Sequence, residues 1–580
     1  MTVFAGAFSL KKNRGIPLEM KGALSENLCT GNRDNGRRSV HDSVRIFLAR
    51  WDSGAYAEPA WRDDPDGSIC TLAGDPLLLQ EDQRLCRDSQ MAQIAPSGNP
   101  LSENALSHCR GSFALAHYVA TTETLYLSTD AIGLRSIYYT VQDDLLIFST
   151  ALRVLEAITQ VKKKLSLLGM AENAAFSFPL AERTPYEGIS VLREAEILIT
   201  RSGGVDLRSY YDWATAEPIA DNPTQAAAQI FATFQEAIRI RAGSDKRVYS
   251  FLSGGMDSRA IVATLIGLGR HVEALNFSAE HSQDQRYAQS FAQLASEKCT
   301  LHCLPGGIYP NFSFLALAAK SKLERKNGTS VDRPSFIWSG DGGSVGLGHV
   351  YMDEPMLEHA DRGDVQAAIR HFFDFNRIGL PTGVLTASAR KRLPAMLFNS
   401  VLDEVNRYPR TDVGRRIYLF LLFNDQRRHL FKHFETIDQH GLELLTPFYD
   451  TRFLAAVAAT PSRWGILHRL YSQFFQHLPA FALKTPWQTY PGHVPCPLPH
   501  DERATYQWTG ELKSRRESFE DRCKTARELL STFNPKMRPQ VFSPFRIKTA
   551  TLIHALGLRD CNHILPTLQS YQRHDAICHT

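Results

Sequence analysis

The chain has no dominant charge, no long apolar run and no ordered cysteine framework. Its 65 Lys and Arg nearly balance 61 Asp and Glu, a net of +4 over 580 residues. A surface so balanced offers no strong field to a polyanion, which excludes nucleic acid as the expected partner. No stretch approaches the roughly 20 apolar residues of a membrane span, so no membrane partner is expected. The opening MTVFAGAFSLKKNRG places its apolar residues before its lysines, the reverse of a secretory signal, and the expected location is the cytoplasm. Ten cysteines without a repeating spacing fit reduced thiols better than a disulfide scaffold. Cys299 and Cys303 flank His302, but no second CxxC pair completes the four ligands of a structural zinc. Internal repeats and low-complexity tracts are also absent.

What is present is the composition of a globular protein, 43% hydrophobic and 22% charged, on a chain too long for a single core. Over the first two hundred residues, TVFAGAFSL, GSFALAHYVATTETLYLSTD, LLIFST and EAEILITRSGGVDL alternate apolar and polar positions, which predicts antiparallel strands in an α+β sandwich. The polar, proline-bearing ATAEPIADNPTQ then leads into AAAQIFATFQEAIRIRA at helical spacing. A domain boundary is placed there, giving domains 1–212 and 213–580. Beyond it, short apolar strands (RVYSFL, VEALNFS, SFIWSG) alternate with helical stretches, the pattern of βαβ units around a parallel sheet. From about residue 360 the pattern becomes mostly helical. The expected fold is therefore α/β overall, an N-terminal α+β sandwich followed by a parallel-sheet domain with a helical C-terminal part.

The informative stretch is FLSGGMDSRA, residues 251–260. An apolar strand precedes it and an apolar helix follows, so SGGMDS lies at the carboxyl end of a parallel strand, where open α/β sheets bind ligands. Gly254 and Gly255 let backbone approach an anion, the amides of the turn and helix start point at it, and Ser253 and Ser258 add hydroxyls. Asp257 would repel phosphate unless a divalent cation lay between them, which predicts Mg²⁺ on a nucleotide. The competing reading is a plain strand-to-helix turn capped by Ser258. A second glycine-rich segment, WSGDGGSVGLGHVY (338–351), follows the strand-like SFIW, so Gly340 and Asp341 should emerge at the same sheet edge.

The SGGMDS segment resembles the SGGxDS pyrophosphate loop of the ATP-pyrophosphatase superfamily, whose members cleave ATP between the α- and β-phosphates. WSGDGGSVGLGHVY resembles the SGEGADELFGGY of asparagine synthetases, HGLELLTPFYD (440–450) their HGLEVRVPFLD, and TDAIGLRSIYY (129–139) their RDRFGIKPLYY. The order of the four segments also matches that family. The resemblance implies an ATP- and Mg²⁺-dependent ligase that adenylates a carboxylate, releases pyrophosphate and joins the acid to an amine. It implies an N-terminal half of glutaminase (Ntn-hydrolase) type. Where asparagine synthetases carry a nucleophilic cysteine, however, this chain has Thr2, and LAGDPLLLQ (72–80) lacks the family's Asn-Gly-Glu clamp. A hydroxyl needs a base that a thiolate does not, so the glutaminase is read as degenerate, the alternative being a threonine hydrolase. An enzyme without its own ammonia takes an amine already on its substrate, as in the β-lactam and carbapenam synthetases and the lasso-peptide cyclases. The favoured expectation is macrolactam formation in a ribosomal precursor peptide, with a precursor-processing protease as a partner. The alternatives are a small-molecule ligase and a nucleotide-sensing scaffold.

By position, Asp341 takes the place of a family glutamate and is read as the base for the amine or, equally, as a Mg²⁺ ligand beside Asp257. Ser344 stands where the family has a second metal-binding aspartate. Lys484, in LKTPWQTYPGH, resembles the family lysine that stabilises charge on the α-phosphate; Arg469, next to His468 in GILHRLY, replaces another. Asp284 in SQDQRYA matches an acidic element of the nucleotide pocket, and capping the following helix is the competing role. Asp425, in LFNDQRRHLF, is a candidate partner for Asp341, or a surface ion pair. The basic stretches KSRRESFEDRCKTARELL and NPKMRPQVF near the C-terminus are read as a cover for the site, a dock for a leader or partner, or a solvated face.

Overall fold

The computed structural model describes the chain apart from residues 1, 13, 32–35, 59, 202, 216–218, 305–315, 318–319, 321–330, 500–518, 533–539 and 580, and apart from the side chains of 426–428 and 519–521. Residues 513–518 and 534–539 of the basic C-terminal stretches therefore lie outside the described residues. Contacts group the chain into two compact units, each assembled from three separate segments.

The first unit (Met1–Ile158, Leu192–Glu354 and Ile417–Gln507) contains both sheet systems. Its N-terminal part is the expected sandwich. Strands β1 (Thr2–Ser9), β2 (Arg37–Asp42), β3 (Ile46–Asp52), β4 (Trp61–Asp63), β5 (Ile69–Gly74), β6 (Phe113–Val119), β7 (Thr124–Thr129), β8 (Tyr138–Gln142), β9 (Leu145–Ser149), β10 (Glu196–Arg201) and β11 (Gly204–Ser209) pair antiparallel. In one sheet the order is β8-β9-β1-β3-β2, in the other β11-β10-β7-β6-β5-β4. Register follows the period-2 pattern. Phe4, Phe8, Leu48 and Phe148 of the first sheet meet Ala114, Ala116, Leu127 and Leu198 of the second in one core. The alternate residues of the second sheet, Leu72, Phe113, Leu115 and Ile197, pack outward on Met91 and Ile94 of a covering helix.

The linker leads to helix α1 (Pro223–Ala242), whose start is set by Asn222, which accepts from Gln225 N, and by proline in its first turn. Five parallel strands follow: β12 (Arg247–Phe251), β13 (His271–Asn276), β14 (Cys299–Cys303), β15 (Phe336–Trp338) and β16 (Glu443–Leu445), in the order β14-β13-β12-β15-β16. From β12 the chain moves outward to β13 and β14, then returns to place β15 on the other side of β12. That reversal is a topological switch point, and open parallel sheets bind ligands in the crevice it leaves at the strands' carboxyl ends. Helix α2 (Met256–Gly267) starts directly after β12 and helix α3 (Gln283–Ala295) after β13.

The second unit joins Thr159–Val191, Pro355–Arg416 and Trp508–Thr580. It is helical apart from short strands, with a core that includes Met170, Leu393, Leu529, Phe542 and Leu568. No helix among the described residues is long and apolar enough to cross a membrane.

Candidate active site

The switch point brings the two glycine-rich segments into contact. Gly340 and Gly343, after β15, lie directly on the first turn of α2. A Cβ at Gly340 would sit 2.7 Å from Ser258 N, and one at Gly343 would sit 2.6 Å from the Asp257 Cγ. Only glycine permits so close an approach.

Between the two loops stands Asp257. Its Oδ1 accepts from the Tyr471 hydroxyl at 2.6 Å, and its Oδ2 accepts from Ser344 Oγ at 2.7 Å and Ser344 N at 3.2 Å. Burial pushes the Asp257 carboxyl up to about 6; these three donors hold it down, and the nearby Asp341 carboxylate adds a smaller upward push. Tyr471 lies on helix α4 (Arg469–Phe475) and is itself buried. Ser344 thus binds the carboxylate where the family resemblance implies a second carboxylate. Tyr471 was not singled out in the sequence, where its partner lies 214 residues away.

The loop backbone differs from expectation. Ser253 N donates to Ser258 Oγ at 2.9 Å, Gly255 N to Ser253 Oγ at 3.2 Å, and Gly254 N to Asp284 Oδ1 at 2.7 Å. These three amides are satisfied inside the protein, which leaves the amides of Met256, Asp257 and Ser258, in the first turn of a helix, as the loop's donors without an intrahelical partner. The capping reading of Ser258 gives way as well: the residue preceding α2 is Gly255, with no side-chain cap. Asp284 does not cap α3, because Ser282 occupies that position and accepts from Gln285 N. From the first turn of the helix, Asp284 instead grips the loop through Gly254 and the Asn276 side chain, 3.3 Å away. Burial raises its carboxyl against those donors.

Arg259, fully buried, donates to the carbonyls of Thr485 at 2.6 Å and Pro486 at 2.8 Å, and Gln488 N donates to the Gly254 carbonyl at 3.0 Å. These bonds tie LKTPWQ to the loop. Lys484 ends a short 3-10 turn just before the anchored carbonyls and is exposed. Arg469 is set against Glu354, 3.4 Å away, which also pairs with Arg463, so the structure gives it a carboxylate partner rather than a free place at the loop. The neighbouring His468 is buried, and burial lowers its imidazole to about 3.

Asp341 is exposed, and its Oδ2 accepts from Ser339 Oγ. Asp425 lies 3.4 Å from His429 one turn further along its helix. The two carboxylates share surroundings: burial, then Asp341, then Asp425 raise the Tyr449 phenol. The hydrogen bond that His429 donates to Asp425, with the charges of both carboxylates, raises His429 against the effect of burial. Asp341 and Asp425 thus both act electrostatically on Tyr449 and His429.

Away from this crevice, Thr2 opens β1 at 3% exposure, and its hydroxyl has no hydrogen-bond partner among the described residues. His302 Nε2 lies 2.6 Å from Glu273 Oε2, so its imidazole is engaged by a carboxylate.

The remaining family-like segments join the sandwich to the parallel-sheet part. Asp450 of HGLELLTPFYD is fully buried between Arg110 Nε at 3.1 Å and Arg241 Nη1 at 2.8 Å. Glu443 of the same segment pairs with Arg135 of TDAIGLRSIYY, and Arg135 holds the Glu443 carboxyl below its ordinary value despite burial. Arg153 Nη2 reaches Asp438 Oδ1 at 2.8 Å.

Comparison with known proteins matches residues 93–211 to a glutamine amidotransferase domain and residues 229–307 to asparagine synthase. Asparagine synthetase [glutamine-hydrolyzing] 3 of Bacillus subtilis is 26% identical over 200 residues, covering 33% of this chain and 31% of that protein. A putative asparagine synthetase [glutamine-hydrolyzing] 2 of Methanocaldococcus jannaschii is 26% identical over 29% of this chain and 33% of its own length. Amidase chyE of Penicillium rubens is 25% identical over 28% of this chain and 25% of its own. The chain thus spans about a third or less of the length of these relatives.

Proposed function

Because this chain is asparagine-synthetase-like, with an amidotransferase segment followed by a synthase segment, we propose that it is an ATP-dependent carbon–nitrogen ligase yielding AMP and pyrophosphate. Its substrate, in this reading, is a peptide, in which it closes a macrolactam between an amine and an Asp or Glu side chain. The observation that carries the proposal is the enclosure of Asp257 between two glycine loops at the switch point.

In the first step a substrate carboxylate oxygen attacks the α-phosphorus of ATP, and the bond from that phosphorus to the bridging oxygen breaks. Pyrophosphate leaves with the electron pair. The amine then attacks the acyl carbon, AMP departs with the carbon–oxygen bond pair, and the amine's proton passes to a base, the role given to Asp341 with Asp425 beside it. The amides of Met256 to Ser258 receive phosphate oxygens, Asp284 fixes the loop that presents them, and Lys484 neutralises charge on the α-phosphate. With Asp341 as the base, Asp257 is the carboxylate that would hold Mg²⁺, a cation bound through one or two carboxylates. When bound, the cation offsets the phosphate charge that Asp257 would otherwise repel. Thr2 has no part in either step; the amine comes from the substrate itself. A precursor-processing protease would act beside this enzyme.

The test is ATP–pyrophosphate exchange with the purified protein, using acid-containing peptides, aspartate and small β-amino acids in turn. Exchange stimulated only by peptides supports the proposal. Stimulation by a free amino acid replaces the peptide substrate with a small molecule. ATP binding without exchange under any of them makes the chain a nucleotide-sensing scaffold.

A further inference from the structure

In the second unit, helix α5 (Pro544–Ala555) buries Ile547, Thr551 and His554 on one side. The other side carries an apolar stripe: Phe545 is 78% exposed, Leu552 59% and, just past the helix, Leu556 62%. Positions i, i+7 and i+11 fall on one line of a helix, so these side chains share a face as an apolar ridge, with Thr549 between the first two. Aligned exposed apolar residues on a soluble surface mark interaction sites.

Beside the ridge lies a cavity of about 460 Å³ lined by Phe545, Thr549 and Ile553 from the helix, with Arg546, Arg559 and His563 also in its wall. Its volume is that of a ligand site. No carboxylate lines it, and neither arginine is drawn to one among the described residues. Arg546 flanks the ridge on one side and Lys548 on the other. The unit as a whole carries 26 Lys and Arg against 17 Asp and Glu, whereas the rest of the chain carries 39 against 44. The near-neutral total conceals a basic unit on an otherwise acidic protein.

An apolar ridge with cations along both flanks complements a helix whose apolar stripe is bordered by carboxylates. Nucleic acid would use the cations and leave the ridge exposed. A membrane would cover the ridge but could not fill a concave cavity. We propose that this face docks an acidic, amphipathic segment of the peptide substrate, outside the residues that react. This rests on the peptide reading above. The segment's carboxylates lie on Arg546, Lys548 and Arg559, and its apolar side chains lie along Phe545, Leu552 and Leu556 and into the cavity.

The test uses the full chain and a fluorescein-labelled 14-residue peptide with leucines at helical spacing and glutamates elsewhere, followed by fluorescence anisotropy. The glutamate peptide should bind, more weakly as salt rises, and its lysine counterpart should not. R546E/R559E should weaken binding at least tenfold, and L552S/L556S should weaken it without altering its salt dependence; a thermal midpoint like that of the parent confirms each fold. Equal binding of both peptides, indifference to either variant, or no binding overturns the proposal. So does co-sedimentation with phosphatidylserine vesicles in place of peptide binding, or a self-association through the ridge that the peptide does not displace. Pyrophosphate exchange driven by an acid-containing peptide that lacks the acidic amphipathic segment should be unchanged in R546E/R559E. Peptide binding by a chain that shows no exchange would leave the surface standing and remove only the ligase, whereas exchange without peptide binding would do the reverse.

Discussion

Asp257→Asn separates the needs of the fold from the needs of the chemistry. In the ligand-free chain the carboxyl is raised from 3.8 to about 6, chiefly by desolvation. A carboxyl raised on folding contributes its full stability below 3.8, and that contribution is lost as pH rises through about 6. At pH 7.5 the shift of about 2 units corresponds to roughly 3 kcal/mol held against folding. Asparagine removes that cost. It also turns an NH₂ group toward Ser344, or toward Tyr471 if flipped, losing a hydrogen bond worth about 1 kcal/mol. The net expectation is a gain of about 1–2 kcal/mol at pH 7.5 that shrinks toward zero or reverses at pH 4.5. Thermal melts of both proteins without nucleotide at the two pH values measure the difference, and exchange assays alongside should show activity abolished. An Asp257→Asn protein no more stable than its parent at pH 7.5, or equally shifted at both pH values, would refute the argument that burial is what raises this carboxyl.

Gly343→Ala would drive a methyl to 2.6 Å from the Asp257 Cγ; exchange should fall at least about a hundredfold while far-ultraviolet circular dichroism stays as in the parent. Asp450→Ala would leave Arg110 and Arg241 buried without their carboxylate, at a cost of about 3–5 kcal/mol, read from chemical denaturation or from loss of soluble protein. Lys484→Ala should reduce the exchange rate by about 10²–10³ with little change in the KM for ATP; an unchanged rate would leave this lysine as a solvated surface residue. Thr2→Ala should leave synthesis intact, and a loss of synthesis would instead point to an N-terminal nucleophile.

Much of the scaffold was legible because it is written locally. VYSFL followed by SGG and an apolar helix states a strand, a tight turn and a helix within twenty residues, and TVFAGAFS states a strand, although apolar–polar alternation marks one buried face and here both are buried. The site was legible only as to where it lies. That the Gly254 amide is already taken depends on Asp284 reaching back 30 residues, and no local pattern distinguishes that from a helix cap, since Ser282 two positions earlier satisfies the same helix end. Ser344 drew notice as a missing carboxylate, but its bond to Asp257 is a contact between segments 87 residues apart. Tyr471 carried no signal, because an aromatic at helical spacing reads as core and its hydroxyl gives no hint of a distant partner. The composition likewise hid the charge division between the units, since a sum over the chain cancels what the fold separates.

The buried ion pairs beneath the sandwich bear on whether it can be dispensed with. Asp450, Glu443 and Asp438 belong to the synthase part, and the arginines that neutralise them, apart from Arg241, are supplied by the amidotransferase-like part. Deleting the amidotransferase-like part would leave Glu443 and Asp438 without their arginines and Asp450 with Arg241 alone. The sandwich is thereby held in the fold by the arginines at its base, whatever chemistry it carries.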